Sequence, residues 1–178
     1  MQTTTFDTAL GLFGIGWTEH GLARVLLPDT TQKAMLDRLE RGGALPGEPT
    51  RMISALMDRI EDYAEGRPVT FSATQLDLSS VPDFHRRAYE RLLQVEWGQT
   101  LTYGELAREL GDVNLSRAVG QAMGANPMPL VIPCHRVLAG NGKPGGFSAP
   151  GGTRTKLTML ALEGVHVGAP AGQLNFGF

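Results

Sequence analysis

Cysteine is nearly absent from this chain, because Cys134 is the only one among its 178 residues. A single thiol cannot form an intramolecular disulfide, which is typical of proteins that fold in a reducing, cytoplasmic environment. The sequence also has no cysteine and histidine cluster with the spacing of zinc ligands, so we expect no structural metal. The fold therefore has to rest on its apolar core.

Long hydrophobic runs are missing as well. No stretch approaches the roughly 20 apolar residues that a membrane span needs, and residues 1–9 lack the basic and apolar regions of a secretion signal. The 42% of hydrophobic residues suffices for one large domain or two small ones. We expect a soluble, cytoplasmic protein that has no membrane partner.

Net charge is small, at −2, which argues against a surface that is basic throughout. The two halves differ: residues 1–82 contain 7 Lys and Arg against 11 Asp and Glu, whereas residues 83–178 contain 9 against 7. This difference indicates that the basic surface lies in the second half. An ordinary scatter of solvated charges explains it equally well.

The first half has the pattern of a small α/β unit. Apolar runs at residues 10–17 and 22–27 flank a polar turn, which predicts a β-hairpin. Residues 67–81 are predicted to form a strand or an extended crossing segment. An amphipathic helix that stops before Gly66 and Pro68 is indicated by apolar residues at helical spacing: Ile53, Leu56, Met57, Ile60 and Ala64.

The second half has mainly helical patterns. We therefore predict an α/β (α+β) protein, with a small N-terminal α/β domain over residues 1–80 and a mainly helical C-terminal domain over residues 81–178. The first helix of the second domain is predicted to start at Pro82 and Asp83 and to continue to Trp97.

Two short helices in the second half have the outline of a helix-turn-helix. Thr102 and Glu105 have capping-box spacing and open the first helix, which ends at Gly111, and residues 116–124 form the second. Arg117 is the one long cation of that second helix, which is otherwise rich in small residues that allow close approach to DNA: Ala118, Gly120, Ala122 and Gly124. Many small helical domains contain such a pair, and a surface arginine explains Arg117 equally well.

Cys134 lies between Pro133 and the pair His135 and Arg136. A thiolate forms readily near positive charge or a base, whereas a thiol in an apolar core is inert. Taken alone, Cys134 is more simply interpreted as an inert buried thiol. Adjacency in the sequence does not make His135 its direct partner.

Several segments together resemble the O6-alkylguanine-DNA alkyltransferases (methylated-DNA-protein-cysteine methyltransferases) in order and spacing. The resemblance is strong over residues 82–165 and extends over residues 1–80 only as a general α/β outline. Its most specific part runs from Asn126 to Val137, where two spaced prolines precede the Pro-Cys-His-Arg run. The segments are Tyr103, Ser116 to Gly120, Asn126-Pro127, Ile132 to Val137, Gly145 to Ser148 and Leu162 to Gly164.

The resemblance implies a protein that moves a methyl or alkyl group from O6-alkylguanine in double-stranded DNA to Cys134, in one irreversible step without a cofactor. The damaged nucleotide has to rotate out of the duplex, at a cost of a few kcal/mol. By resemblance, Arg117 fills the vacated space, while Tyr103 crowds the 3′ phosphate and donates a proton to the leaving guanine. The DNA-binding helix would also use Ser116, Ala118 and Gly120, and the protein would act as a monomer.

In this family a histidine takes the cysteine proton through a water molecule and is held by a glutamate. These residues correspond here to His135 and Glu163, which is predicted to lie in a C-terminal helix with an apolar stripe at Leu157, Leu160 and Ala161. Without the resemblance, Glu163 would be interpreted as a surface acid. The remaining positions are expected to form or support the substrate pocket: Asn126, Pro133, Arg136, Val137, Phe147 and Ser148.

Phe147 stands where some family members have tyrosine, and residues 166–178 lie beyond the resemblance. Two rival interpretations stay open. A cysteine hydrolase would need an oxyanion hole and repeated turnover. An alkyltransferase-like protein would bind the lesion without repairing it, but members of that class lack the reactive cysteine, so Cys134 argues against it.

Overall fold

The first half of the chain forms a four-stranded sheet in the order β3-β2-β1-β4, with antiparallel pairing except between β1 and β4. The strands are β1 (Gln2–Thr8), β2 (Gly11–Thr18), β3 (Gly21–Leu26) and β4 (Leu45–Pro46). The predicted hairpin is confirmed as β2 and β3. The sequence pattern does not predict β1, because only Thr3 and Phe6 of this threonine-rich strand are buried and no apolar alternation marks it.

Two helices accompany this sheet, α1 (Gln32–Glu40) and α2 (Arg51–Ala64). The predicted amphipathic helix is confirmed as α2, which Thr50 caps by accepting a hydrogen bond from the backbone of Ile53. The sequence pattern does not predict α1, because this helix buries only Met35 and Leu39 and its apolar pattern is correspondingly sparse.

The structure is a computed structural model that describes residues 1–29, 31–41 and 43–168, so most of the tail at residues 166–178 lies outside the described residues. A short parallel pair, β5 (Leu101–Thr102) and β6 (Val137–Leu138), lies in the second half. The described helices of this half are α3 (Asp83–Leu92), α4 (Tyr103–Glu109), α5 (Ser116–Gly124) and α6 (Thr153–Leu162).

The α3 helix is shorter than predicted. It ends at Leu92 rather than near Trp97, because the chain tightens there into turns in which the Val95 amide donates to the Leu92 carbonyl. The predicted capping box is confirmed: Thr102 accepts a hydrogen bond from the Glu105 amide, and the Glu105 carboxylate accepts one from the Thr102 amide.

Residues 67–81 form an extended crossing segment with no regular strand. Within it, the Gln75 carbonyl accepts a hydrogen bond from the Leu22 amide, and the Asp77 amide donates to the Leu22 carbonyl. Buried apolar side chains of both halves, such as Ile53 and Met159, belong to one continuous cluster. The α+β class is confirmed, whereas the division near residue 80 stays a prediction. None of the described helices has the length and apolar character that a membrane crossing requires.

Candidate active site

Hydrogen bonds of Asn126 fold the segment that carries Cys134 back on itself. The Asn126 amide Nδ2 donates to the Ile132 carbonyl at 2.9 Å, and its Oδ1 accepts from the Met128 amide at 3.0 Å. Buried Leu130 adopts φ 78°, a left-handed conformation that the surrounding packing has to maintain. The resulting turn delivers Cys134 to the start of a 3-10 helical turn.

Cys134 is buried, with 4% of its surface exposed. Burial raises the pKa of the thiol, while a hydrogen bond with Asn126 and the positive charge of Lys156 oppose that rise. The thiol is therefore mostly protonated at neutral pH, and a reaction at sulfur needs a base to remove its proton.

A single buried carboxylate, Glu163, accepts hydrogen bonds from three side chains. His135 Nε2 lies 2.7 Å from Oε1, and the Tyr63 hydroxyl donates to the same oxygen at 3.1 Å. Arg136 donates through Nε to Oε2 at 2.8 Å and through Nη2 to Oε1 at 3.0 Å. Burial alone would disfavour the charged form, but the hydrogen bonds from His135 and Arg136 hold the pKa of Glu163 at about 2. Glu163 is therefore ionised at neutral pH.

The ionised Glu163 determines which nitrogen of His135 carries the proton. Its oxygens only accept hydrogen bonds, so His135 Nε2 has to be the donor. Burial lowers the pKa of His135 although the carboxylate opposes this, and the ring is neutral at pH 7. The lone pair then resides on Nδ1, which is buried and has no hydrogen-bond partner among the described protein atoms. His135 is thus arranged as a base.

Lys156 is a fully buried cation close to this cluster. Its Nζ donates to the Val137 carbonyl at 2.5 Å and to the Gly146 carbonyl at 3.4 Å, and it lies 5.8 Å from the centre of the Tyr103 ring. No described carboxylate lies within 4.0 Å of Nζ, and burial lowers the pKa of Lys156 to about 8, with a thiolate at Cys134 opposing the shift. The ammonium group therefore connects β6 to the loop that carries Gly146.

Two cavities meet at Cys134. One, of about 440 Å³, lies beside α5 and is uncharged. Its size is within the range of pockets that hold small ligands. A second cavity, of about 380 Å³, extends toward the first half of the chain. The first is lined by Tyr103, Gly120, Met123, Gly124, Cys134, Gly146, Phe147 and Ser148.

Tyr103 forms one wall of the cavity beside α5, at the start of α4. Burial, and then the charge of a thiolate at Cys134, raises the pKa of its phenol, which stays protonated at neutral pH. Gly145 allows this ring to approach: it has φ 72°, and a Cβ there would lie 3.1 Å from Tyr103 Cε2. The cavity therefore holds a thiol and a neutral phenol as its reactive groups.

Comparison with known proteins identifies the family. Residues 83–165 match the family model for the DNA-binding domain of 6-O-methylguanine DNA methyltransferase. A methylated-DNA-protein-cysteine methyltransferase of Methanothermobacter thermautotrophicus is 32% identical over 154 residues, which are 86% of this chain and 80% of that protein. One of Mycolicibacterium paratuberculosis is 33% identical over 166 residues, with 93% and 94% covered. This chain belongs to the methylated-DNA-protein-cysteine methyltransferase family.

Solved structures of this methyltransferase family resemble the chain across both halves. The crystal structure of Mycobacterium tuberculosis OGT in complex with DNA has a TM-score of 0.76 at 30% identity, with 92% of each chain covered. The O6-methylguanine-DNA methyltransferase of Pyrococcus kodakaraensis has a TM-score of 0.71 at 26% identity, covering 92% of this chain and 99% of that one. The likeness therefore includes the N-terminal half, which the family model does not match.

Most of the site residues predicted by resemblance to the methyltransferases lie together. Cys134, Tyr103, Gly120, Phe147 and Ser148 line one cavity, and His135 and Glu163 are hydrogen-bonded behind it. Asn126 and Arg136 brace the surrounding backbone, Arg136 also donating through Nη1 to the Val95 carbonyl, and Pro133 and Val137 are buried.

The predicted DNA-binding residues lie on α5. Arg117 is exposed, Ser116 and Ala118 are partly exposed, and Gly120 reaches the cavity. The Ser116 hydroxyl donates to the Val113 carbonyl at 2.6 Å, which steadies the start of the helix. Contact of these residues with DNA stays a prediction.

The predicted C-terminal helix is present as α6, but its inward face differs from the prediction. Leu157 is 37% exposed and Ala161 is exposed, whereas Lys156, Met159 and Leu160 are buried. Glu163 follows the helix as its C-terminal cap instead of lying within it. The helix is rotated relative to the prediction, so that Lys156 and the C-terminal cap Glu163 face the active site.

Tyr63 and Lys156 belong to this site but are not predicted from the sequence. Tyr63 follows Leu56 and Ile60 by seven and three residues, so it belongs to the buried stripe of α2 and brings a hydroxyl into the core. Lys156, Leu160 and Glu163 are spaced at i, i+4 and i+7, a pattern that places both charges on one helical face. Among the described residues, no group of His, Cys, Asp and Glu could hold a metal ion.

Proposed function

We propose that this protein repairs DNA by transferring a methyl or larger alkyl group from O6 of guanine to Cys134, once per molecule. The observation that carries this proposal is the neutral, buried His135, held by Glu163 and with Nδ1 free, next to the single thiol at the wall of a cavity. The names of the relatives support the choice of alkylated DNA as the substrate.

The reaction begins with activation of the thiol. A water molecule carries the proton of Cys134 to His135 Nδ1, and Glu163 stabilises the imidazolium that forms. The thiolate attacks the alkyl carbon, so that an S–C bond forms and the C–O6 bond breaks. The electron pair stays on the purine, which takes a proton from the Tyr103 phenol, and the phenolate regains a proton that the His135 imidazolium releases through solvent. The base is restored, and Cys134 becomes a thioether.

This product explains why the protein acts once. Water does not hydrolyse a thioether, and the sulfur no longer has a proton to lose or a lone pair that acts as a strong nucleophile. The protein therefore reacts stoichiometrically and needs no cofactor.

Access to the base requires that the nucleotide leave the duplex. The cavity is lined by Gly120, Met123 and Gly124 of α5, so a flipped guanine enters along this helix. Arg117, exposed in the first turn of α5, fills the space in the base stack, and Tyr103 crowds the 3′ phosphate. In this proposal α4 and α5 act as a helix-turn-helix, and a monomer in the cytoplasm binds double-stranded DNA through its second half.

The test is incubation with a duplex that contains one O6-methylguanine, followed by peptide mass mapping, with Cys134→Ser as the matched control. We expect one added methyl group per chain, on Cys134, and none in the variant. More than one methyl group removed per chain, or methylation of another residue, would contradict the proposal. Binding with Cys134 left unmodified would instead indicate a protein that recognises the lesion without repairing it.

A further inference from the structure

The second cavity at Cys134 is a groove of about 380 Å³ between the active site and the first half of the chain. One wall includes Cys134, Phe147 and Ser148, and the opposite wall comes from β3 and α1. The backbone joins these walls, because the Val25 amide of β3 donates to the Pro127 carbonyl at 3.0 Å. The groove is therefore continuous with the active site, and its two walls are joined through the backbone.

Three arginines line this groove, Arg24 on β3, Arg38 in α1 and Arg41 at its end. Arg24 Nη1 donates to the carbonyls of Arg38 at 3.3 Å and Arg41 at 3.4 Å, so it holds the C-terminal end of α1 against the sheet. The three arginine side chains therefore line one opening.

The charge of this opening is only partly neutralised. Arg38 forms an ion pair with Asp29 at 2.8 Å. Neither Arg24 nor Arg41 has a carboxylate within 4.0 Å in the part of the chain that the structure describes, and the described lining of the groove contains no acidic residue. The two cavities that meet at Cys134 thus differ: the one beside α5 is uncharged, and the groove is cationic.

We propose that the groove receives the substituent on O6 and that its arginines favour substituents with a negative charge, such as a carboxymethyl group. This inference rests on the proposed function. With the guanine in the uncharged cavity and its O6 carbon at the sulfur, a substituent longer than methyl has to extend into the second opening. An anionic substituent is repelled by the Cys134 thiolate and by the charge that develops on the purine, and guanidinium groups across the groove offset that repulsion.

The same bonds form and break as in the transfer of a methyl group. The Cys134 thiolate attacks the methylene carbon, the S–C bond forms, the C–O6 bond breaks, and the purine keeps the electron pair and takes a proton. The product is S-carboxymethylcysteine at position 134, whose carboxylate stays beside the arginines.

The test compares transfer rates from three duplexes, with O6-methylguanine, O6-carboxymethylguanine and its neutral counterpart O6-carbamoylmethylguanine. Arg41→Met is the main variant, because Arg41 is exposed. Arg41→Lys keeps the charge, and Arg59→Met removes a partly exposed arginine from α2, outside the groove lining. The Arg24→Met, Arg41→Met double variant removes both unpaired cations, with thermal unfolding as the check on its folding.

We expect Arg41→Met to slow carboxymethyl transfer about threefold and the double variant to slow it about tenfold. Both effects should be smaller at high salt, because salt screens the charges. Transfer of the two neutral groups should stay within about twofold of the rate of the unaltered protein. The two control variants, Arg41→Lys and Arg59→Met, should stay within the same limit for all three duplexes. Unchanged selectivity would overturn the inference, and an equal decrease for all three duplexes would show that the arginines bind DNA phosphates instead. Failure of the unaltered protein to accept methyl would refute the proposed function itself.

Discussion

Replacing Glu163 with glutamine tests the central cluster with almost no change in shape. The carboxylate accepts hydrogen bonds from His135, Arg136 and Tyr63, and in this arrangement all three side chains act as donors. Glutamine brings an NH2 group among these donors and leaves buried Arg136 without its counter-charge. Breaking a buried ion pair from one side costs about 3–5 kcal/mol. For a chain of this length that corresponds to a decrease in Tm of roughly 6–20 °C.

The same substitution changes the chemistry. The carboxylate is what raises the pKa of buried His135, so Glu163→Gln lowers that pKa further and weakens the base. We expect methyl transfer at pH 7 to slow by about 100-fold, the lower range of what a general base contributes. Because hydroxide can deprotonate Cys134 directly at high pH, the difference from the unaltered protein should shrink as the pH rises.

The assay pairs urea unfolding with single-turnover transfer rates measured between pH 6 and about 10. Glu109→Gln is the control, because Glu109 pairs with Arg91 at 2.6 Å on the exposed surface and such pairs contribute about 0–1 kcal/mol. A loss of stability below about 1 kcal/mol for Glu163→Gln would refute the role of the buried pair. A rate decrease that is the same at every pH would refute the role in activating the thiol.

Three further outcomes are expected. The pKa of Glu163 is held below its unfolded value, so its contribution to stability is present above about pH 4.5 and is lost as the pH falls toward 2, which acid titration of the unfolding free energy would detect. Lys156→Met removes the cation that opposes protonation of Cys134, so the pH profile of thiol alkylation by iodoacetamide should move to higher pH, and an unmoved profile would contradict this. Arg117→Ala should leave Tm unchanged and slow transfer from duplex DNA but not from the free O6-methylguanine base; equal slowing of both would exclude a role in base flipping.

Local patterns predict the elements whose own residues determine them. The buried stripe of α2, the polar turn between β2 and β3, and the capping box of Thr102 and Glu105 need no distant partner to be recognised. The position of Cys134 in a tight turn also follows from its neighbours, because Asn126 bonds backbone groups only two and six residues away.

Features that depend on contacts between residues far apart in the chain are not predicted from the sequence. The pattern around α6 favours Leu157 as a buried residue, yet the helix buries Lys156, whose charge is accommodated by carbonyls of Val137 and Gly146 in other segments. The pattern of β1 is equally uninformative, because its position comes from pairing with β2 rather than from apolar alternation. Burial of a charged side chain is the opposite of what its hydropathy predicts. The hydrogen-bond partners that compensate for it come from segments that meet only in the folded structure.

The first half of the chain completes the active site instead of merely preceding it. Tyr63 donates to Glu163 across 100 positions of sequence, and its pKa is raised by burial, so the hydroxyl keeps its proton and stays a donor. The Val25 amide holds the segment before Cys134 through the Pro127 carbonyl. The region that matches the family model, residues 83–165, contains neither donor. The orientation of the Glu163 carboxylate and the opening beside the thiol therefore both depend on residues that a motif centred on Cys134 does not include.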